Sequence, residues 1–225
     1  NGLECVMLRV IDTETCDLQG GVVEIASVDV VDGQITNPMS HLVRPDRPIS
    51  PQAMAIHRIT EAMVADKPWI EEIVPQYQGS HFYVAHNASF DRRVLPEMQG
   101  EWICTMKLAR RLWPGIKYSN MALYKSRKLS VTTPPGLHHH RALYDCYITA
   151  ALLIDIINTS GWTADEMVTI TGRPALLTTF PFGKYRGKPV AEVAERDPGY
   201  LRWLANNLTS MTPEMRFTLK HYLGD

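Results

Sequence analysis

The sequence is poor in cysteine, and its cysteines lie far apart. No two of them form a C-x-x-C pair. Small secreted domains carry dense cysteine frameworks, and cysteine-rich zinc sites use closely spaced pairs. Neither class of structure is therefore expected here. The four cysteines are Cys5, Cys16, Cys104 and Cys146.

Long hydrophobic runs are missing as well. The longest apolar stretches are interrupted well short of the roughly 20 residues that cross a bilayer, and no basic-then-apolar signal segment opens the chain. Hydrophobic residues make up 45% and charged residues 21% of the 225 residues, a globular balance that excludes disorder and fibrous repeats. We expect a soluble cytoplasmic protein with one sizeable domain, a small appendage and no membrane partner.

Acidic residues are absent from residues 102–144, although the chain as a whole has a formal net charge of −1. That stretch carries eight lysines and arginines and a triple histidine at 138–140, and Asp145 follows directly. A basic segment bordered by carboxylates suits a site that holds phosphates beside a divalent cation. A solvated helix face has the same charge pattern, so charge alone leaves both interpretations open.

The apolar pattern predicts a mixed α/β domain. An early hairpin turning at Asp32-Gly33, followed by alternating strands and helices, indicates a mixed sheet covered by helices. Strands are predicted over 8–12, 22–31, 34–43, 82–86 and 102–104. Helices are predicted over 51–66, 68–77, 88–98, 106–113, 119–128, 141–157 and 162–170. A compact unit is predicted from Phe180, with segments at 182–188, 189–195 and 200–208.

Three segments are predicted from changes in pattern. Residues 1–6 precede Met7 without any pattern, and we interpret them as a remnant of the expression vector. Residues 7–171 form the main domain. Residues 172–225 form a small C-terminal module, which is mildly basic because it has eight lysines and arginines against five acidic residues.

A D-x-E pair stands at the end of the first predicted strand. Asp12 and Glu14 alternate with Leu8 and Val10, which places all four on one face of a strand. Carboxylates so close together raise one another's pKa, and a hard divalent cation such as Mg²⁺ or Mn²⁺ removes that cost. The alternative is that the strand has ended and both acids point into water.

Two further carboxylates occupy helix starts. Asp91 follows the 82–86 strand, and Asn87 is predicted to cap the helix that begins at Ala88. An acid in a first helical turn is also favoured by the positive helix end alone. Asp145 heads an apolar stripe, a costly position unless the acid is paired or bound to metal. The stripe consists of Ile148, Leu152 and Ile156.

His140 lies five residues before Asp145, at the entry to the long helix after a Pro-Pro-Gly break. This position puts an imidazole on a mobile approach to the site. His138 and His139 raise the alternative of a zinc site, but three consecutive residues do not converge easily on one tetrahedral ion.

In this order the motifs resemble the DEDD superfamily of 3′–5′ exonucleases, in its histidine-bearing DEDDh branch. The tyrosine branch carries Y-x-x-x-D, whereas position 141 here is Arg. Asp17 and Arg58 depart from the family, which commonly has Gly at both places; Asp17 could alter the loop that receives the 3′ terminus. The matching segments are I-D-T-E-T at 11–15, A-M-A-I-H-R-I-T at 53–60, V-A-H-N-A-S-F-D at 84–91 and H-R-A-L-Y-D at 140–145. Tail segments 182–188 and 197–204 resemble the small module found behind such nuclease domains.

The resemblance implies an RNase H-like mixed five-stranded sheet flanked by helices, and a 3′–5′ exodeoxyribonuclease that releases 5′-mononucleotides. It further implies two Mg²⁺ (or Mn²⁺) ions, with a histidine general base beside them and no nucleotide cofactor. The expected partner is DNA with single-stranded, and also double-stranded, 3′ ends, in DNA repair. The implied metal ligands are Asp12, Glu14, Asp91 and Asp145; these four and His140 are the implied catalytic residues.

Candidate substrate contacts surround these motifs. Leu18 is predicted either to wedge against a terminal base or to anchor the strand end in the core. The basic-aromatic loop at 182–188 is hypothesised to grip nucleic acid, although a surface hairpin without function has the same composition. The candidate contacts are Thr15, Leu18, Gln19, His57, His86, Asn87, Lys107, Arg110 and Arg111.

Other classes of protein compete with this interpretation. An RNA-directed exonuclease of the same branch differs only in 2′-hydroxyl contacts, which the sequence does not reveal. A non-catalytic nucleic-acid binding module is disfavoured because all five implied catalytic residues are retained. A P-loop NTPase is excluded by the lack of G-x-x-x-x-G-K-[ST], and neither G-x-S-x-G nor H-E-x-x-H occurs.

Overall fold

A computed structural model describes residues 6–224 of the chain. It divides into two compact units, one comprising residues up to 109 together with 117–171, the other comprising 110–116 and the residues from 172 onward. The predicted vector remnant, 1–6, lies outside the described residues except for Val6, which is exposed.

The first unit is built on a mixed five-stranded sheet in the order β3-β2-β1-β4-β5. The first three strands are antiparallel, whereas β4 pairs with β1 and β5 pairs with β4 in parallel. The predicted sheet is therefore confirmed. The strands are β1 (Met7–Asp17), β2 (Gly20–Val31), β3 (Gln34–Leu42), β4 (Phe82–Ala85) and β5 (Glu101–Cys104).

Strand β1 runs further than the sequence predicted. Its pairing with β2 continues to Asp17, with a register shift between Glu14 and Thr15. Asp12 and Glu14 thus lie within a hydrogen-bonded strand, so the alternative in which the strand ends before them is wrong.

Helices cover the sheet and make up most of the C-terminal unit. Two predicted helices, 51–66 and 68–77, are each split in two. Arg58 ends the first piece in the left-handed conformation (φ 61°), and Thr60 caps the next piece. The helices are α1 (Pro51–His57), α2 (Glu61–Val64), α3 (Ile70–Ile73), the 3₁₀ turn Val74–Tyr77, α4 (Ala88–Val94), α5 (Thr105–Leu112), α6 (Asn120–Ser126), α7 (Ala142–Ser160), α8 (Ala164–Thr171), α9 (Val190–Arg196), α10 (Pro198–Asn207) and α11 (Pro213–Leu223).

Within residues 6–224, α7 is the one helix long and apolar enough to cross a bilayer by length and composition. It packs against β1, β2 and β3, and half of its most apolar window is buried in the fold. Ile148, Leu152 and Ile156 are each 0% exposed. Packing on the sheet accounts for its apolar character.

The C-terminal unit has a core of its own. Phe180, Leu201, Leu204 and other apolar residues are buried together there. The sequence did not predict its last helix, α11, although Thr212 caps it and Pro213 begins it, both common helix-start signals.

Candidate active site

Three carboxylates meet where β1 faces α7. Asp12 and Glu14 lie on the face of β1 that α7 covers, and Asp145 is in the first turn of α7. One oxygen from each of the three lies within 4.8 Å of the other two. Two of these residues are remote in sequence from the third, so the fold itself brings the cluster together.

The cluster is electrostatically unbalanced. Burial, followed by the charges of Glu14 and Asp145, raises the pKa of Asp12 well above its usual range. Burial and the charge of Asp145 raise the pKa of Glu14 to about 9. Burial also raises the pKa of Asp145, against the hydrogen bond from His139. In the absence of a counter-charge, these acids resist ionisation.

Asp12 Oδ2 is buried and has no hydrogen-bond partner among the described residues. A buried carboxylate oxygen without a donor is costly unless a cation binds it. Clustered oxygen donors of this kind are the ligands that hard divalent cations prefer. The residues present therefore fit a divalent metal ion.

Asp91 approaches the site from the other layer. Its Oδ1 accepts a 2.8 Å hydrogen bond from the hydroxyl of Thr13, which points to the opposite face of β1 from Asp12 and Glu14. Asp91 is 4% exposed, and burial raises its pKa to about 7 despite this hydrogen bond. It is not part of the three-oxygen cluster, although its charge adds to the raised pKa of Asp12.

The histidines before α7 are arranged differently from the prediction. His139 Nδ1 lies 2.8 Å from Asp145 Oδ1, and its ring stacks on that of His140 with centroids 3.8 Å apart. Both rings offer nitrogens within 4.8 Å of an Asp145 oxygen. Two consecutive histidines therefore do converge, because His140 has a left-handed backbone (φ 73°). The ring nitrogen of His138 instead contacts the carbonyl of His139 at 2.6 Å.

His140 remains exposed at the site, and its backbone N–H donates to both oxygens of Asp145, at 3.3 and 3.2 Å. Partial burial and the neighbouring His139 lower the pKa of His140. The imidazole is therefore neutral at neutral pH, which is the form that accepts a proton.

Two predicted substrate contacts have both ring nitrogens engaged within the chain. His57 is 1% exposed; its Nδ1 accepts from the N–H of Ile59, and its Nε2 donates to the carbonyl of Thr15. His86 contacts the hydroxyl of Thr105 and the carbonyl of Tyr118. These arrangements give both histidines a structural role and weigh against direct substrate contacts through their ring nitrogens.

Asn87 is the N-cap residue of a helix that begins at Ala88, as predicted, but its side chain does not cap that helix. Asn87 has a left-handed backbone (φ 65°), and its side chain makes no capping bond to α4. Asn tolerates this conformation better than most residues. Its Oδ1 instead accepts from Ser89 at 3.3 Å, and the residue is exposed beside the helix that carries Asp91. Its side chain thus remains accessible to a substrate.

The loop after β1 presents an apolar side chain to solvent. Leu18 is 84% exposed, which excludes the interpretation of a core anchor. Arg93 donates to the carbonyls of both Leu18 and Gln19, at 2.9 and 3.0 Å. Asp17 Oδ1 accepts the N–H groups of Gln19 and Gly20. Asp17 therefore closes the turn with its side chain, where the family commonly has Gly.

Arg58, the other departure from the family pattern, lies in the left-handed region that glycine adopts most easily. The basic residues of α5 that were predicted to bind phosphate differ in their contacts and exposure. Lys107 Nζ donates to the carbonyl of Thr171 at 2.9 Å, and both Lys107 and Arg110 make further contacts within the chain. Only Arg111 of this group is largely exposed.

In the C-terminal unit, Tyr185 is not the stacking surface that the sequence suggested. Its hydroxyl donates to Asp197 at 2.6 Å, and its ring packs edge-on against Tyr200. Exposed aromatic residues of this unit include Trp203 (56% exposed), Phe217 (42%) and Phe182 (38%). Trp203 lies almost parallel to the ring of Tyr200, at 13°.

Sequence reasoning missed several residues around the site. Thr13 was hidden because only the acids of the first motif were considered. Glu24 is one of two acids in the otherwise largely apolar strand β2, a pattern that could have indicated a buried charge. Arg93 gave no signal, since basic residues in a last helical turn are common.

The sequence matches two family models. One described as Exonuclease matches residues 10–153, and one described as Exodeoxyribonuclease X-like C-terminal matches residues 180–209. Exodeoxyribonuclease 10 of Escherichia coli strain K12 is 85% identical over 217 residues, which are 96% of this chain and 99% of that protein.

Solved structures match the fold. Exonuclease X in complex with 5′ overhanging duplex DNA is 87% identical, with a TM-score of 0.73 and coverage of 73% of this chain and 99% of that chain. The nuclease domain of 3′hExo, a DEDDh family member bound to rAMP, is 13% identical, with a TM-score of 0.56 and coverage of 71% and 96%. The sheet and its helices therefore have the RNase H-like fold of DEDDh exonucleases, as the motifs predicted.

Proposed function

The chain belongs to the exonuclease family, and on that premise we propose that it is a metal-dependent 3′–5′ exodeoxyribonuclease. It hydrolyses the terminal phosphodiester bond at a DNA 3′ end and releases a 5′-mononucleotide. The observation that carries this proposal is the carboxylate cluster of Asp12, Glu14 and Asp145, in which the buried Asp12 Oδ2 has no hydrogen-bond partner among the described residues. Substrate choice is supported by the name of the E. coli relative and by the duplex DNA in the Exonuclease X structure.

The divalent ions in this proposal are two Mg²⁺ or Mn²⁺, held by the three clustered acids and by Asp91. When bound, they would activate the attacking water and stabilise charge on the attacking and leaving oxygens. The chain's own contribution is to fix the positions of the acids by hydrogen bonds. The hydroxyl of Thr13 fixes one oxygen of Asp91 at 2.8 Å, and the backbone N–H of His140 fixes Asp145.

His140 is the general base. Its exposed position and lowered pKa give a neutral imidazole that accepts the proton of the attacking water. Its backbone bond to Asp145 keeps the histidine beside the acids. The ring of His139 stacks on that of His140 and limits the directions in which it can turn.

The loop of Leu18 and Gln19 receives the terminal base pair. Arg93 and Asp17 hold the backbone of this loop in place. The exposed Leu18 side chain is therefore held in position to pack against a nucleobase. Apolar side chains at such positions separate a terminal pair by replacing base stacking.

The C-terminal unit adds affinity for nucleic acid in this proposal. Trp203 offers a stacking surface, and exposed cations such as Lys184, Arg186 and Lys188 offer phosphate contacts. Trp203→Ala should weaken binding of single-stranded DNA about tenfold, as expected for loss of one stacked base. Phe217→Ala, which removes an exposed aromatic residue of α11 in the same unit, is the matched control. Unchanged affinity in Trp203→Ala would refute this part of the proposal.

One degradation assay tests the main proposal. A 5′-labelled oligonucleotide is supplied as DNA or RNA, single- or double-stranded, with Mg²⁺ or with a chelator. We expect a ladder that shortens from the 3′ end of DNA only when metal is present. Internal cuts or decay in chelator would overturn the proposal, and preferential decay of RNA would assign the alternative exoribonuclease activity. The cellular role that we propose is DNA repair.

A further inference from the structure

A buried acid from the sheet holds the N-terminus of α7. Arg141, the N-cap residue of that helix, makes no side-chain capping bond. Instead Glu24 of β2 accepts the backbone N–H of Ala142 through Oε1 at 2.8 Å. This is the type of bond that a capping Ser or Asp supplies from within its own helix end.

The side chain of Arg141 binds the same carboxylate. Its Nε lies 3.1 Å from Glu24 Oε1, and its Nη2 lies 2.6 Å from Oε2. The side chains of Arg141 and Glu24 are 19% and 5% exposed. A two-point guanidinium–carboxylate contact combined with a backbone amide allows very little relative movement. Strand β2 and the start of α7 are therefore locked together.

The locked position lies between two residues of the proposed active site. Arg141 directly follows His140, and its carbonyl accepts the N–H of Asp145 at 3.1 Å. On the strand side, Glu24 stands directly opposite Glu14 in the β1–β2 ladder. The pair thus connects the acids of β1 to His140, just before α7, and to Asp145 within it.

Stability alone does not account for this arrangement. Apolar residues of similar volume commonly replace a buried ion pair without loss of stability. An apolar pair would not, however, fix the rotation of α7 or accept the N–H of Ala142.

We propose that Glu24 and Arg141 are positioning residues, which hold α7 so that His140 and Asp145 meet Asp12 and Glu14 in the reactive arrangement. The catalytic part of this inference rests on the proposed exonuclease function. Neither residue needs to contact the substrate.

The test uses Glu24→Gln and Arg141→Met in the full chain, with Arg9→Met as a matched control. Arg9 forms an equally buried pair with Asp29 between β1 and β2, at 2.8 Å, with side chains 10% and 4% exposed. At saturating Mg²⁺ we expect kcat to fall about 100-fold in both test variants, as for small displacements of catalytic groups. We expect KM to change little, and Arg9→Met to lower Tm while keeping kcat near that of the wild type.

Amide hydrogen exchange in the metal-free protein provides a readout independent of turnover. Exchange at residues 140–146 should become about tenfold faster in Glu24→Gln and Arg141→Met, but not in Arg9→Met. Arg141→Lys retains the positive charge but loses the two-point contact of the guanidinium with Glu24. We therefore expect its kcat to lie between those of Arg141→Met and the wild type.

Full activity in either test variant, full recovery in Arg141→Lys, or unchanged exchange at 140–146 would overturn the inference. If the wild-type protein itself leaves DNA 3′ ends intact, the proposed function fails. The exchange experiment then still decides whether the pair anchors α7.

Discussion

The two ends of the β1–β2 ladder carry buried charge in opposite ways. At one end Arg9 stands opposite Asp29 and binds it at 2.8 Å, so both charges are neutralised. Towards the other end Glu14 stands opposite Glu24, and Asp12 Oδ2 has no hydrogen-bond partner among the described residues. Like charges directly opposite one another destabilise a sheet, whereas opposite charges stabilise it.

The difference separates structure from function within one pair of strands. The paired end needs nothing from outside the chain. At the acidic end the carboxylates outnumber the cations that bind them, and the pKa of Glu14 stays raised even though Arg141 binds Glu24. Natural proteins retain such local instability where activity requires it. The acidic end is therefore the part of the sheet that is built for a ligand.

Asp12→Asn should have the largest effect. Removing this charge deprives the site of a metal ligand, and turnover should fall at least about 1,000-fold, as for other residues essential to a catalytic unit. In chelator the same change should raise Tm by a few degrees, because a raised-pKa acid no longer has to be buried. Nuclease assays and thermal unfolding check both effects. An active variant, or one with a lowered Tm, would contradict the account.

His140→Ala should have the next largest effect on rate. Loss of a general base should lower kcat by about 100- to 10,000-fold while leaving Tm and DNA affinity nearly unchanged. His138→Ala is the control, because the ring nitrogen of His138 contacts a backbone carbonyl and not Asp145. Equal losses in the two variants would remove His140 from the proposed role.

Asp29→Asn tests the paired end of the ladder. It leaves the guanidinium of Arg9 buried without a charged partner, which should cost about 3 kcal/mol of unfolding free energy. Denaturant unfolding gives this value. Activity in the folded protein should persist, and a variant that is stable but inactive would show that the two ends of the ladder are not functionally separate.

The pH dependence of stability should be the smallest effect. Burial and neighbouring charge raise the pKa of Glu14 to about 9. Between the usual pKa of a glutamate and about 9, the folded protein therefore keeps a proton on Glu14 that the unfolded chain has lost. In chelator, stability should therefore fall as the pH rises from about 7.5 towards 9. His57 and His140, whose pKa values are lowered mainly by burial, are neutral in both states across this range.

Thermal unfolding across this range in chelator and in Mg²⁺ measures the effect. Mg²⁺ should flatten the slope, and Glu14→Gln should reduce it in chelator. Burial is the main cause of the raised pKa values of the Cys16 and Cys146 thiols. Both thiols are present in the wild type and in the variant, so they do not account for a difference between the two slopes. An identical slope in Glu14→Gln would exclude that carboxyl as its source.

Much of this fold follows from local patterns in the sequence. The hairpin at Asp32-Gly33 and the apolar stripe of α7 were predicted because alternation and helical periodicity reflect burial directly. The split at Arg58 was missed, because a left-handed non-glycine residue has no strong sequence signal.

The site was predictable to a similar degree. The D-x-E motif and Asp145 were recognised from their type and spacing, and the structure places them together. The bond from Thr13 to Asp91 and the stacking of His139 on His140 depend on how remote segments meet. Such contacts are set by tertiary packing, which residue types alone do not specify.

Mn²⁺ binding to the wild-type chain and to Asp12→Asn, measured by titration calorimetry, tests the central claim most directly. The claim is that the acidic end of the ladder holds divalent cations. We predict saturable binding of two ions per wild-type chain and loss of at least one of them in Asp12→Asn. No binding to the wild type, or undiminished binding to the variant, would contradict the account.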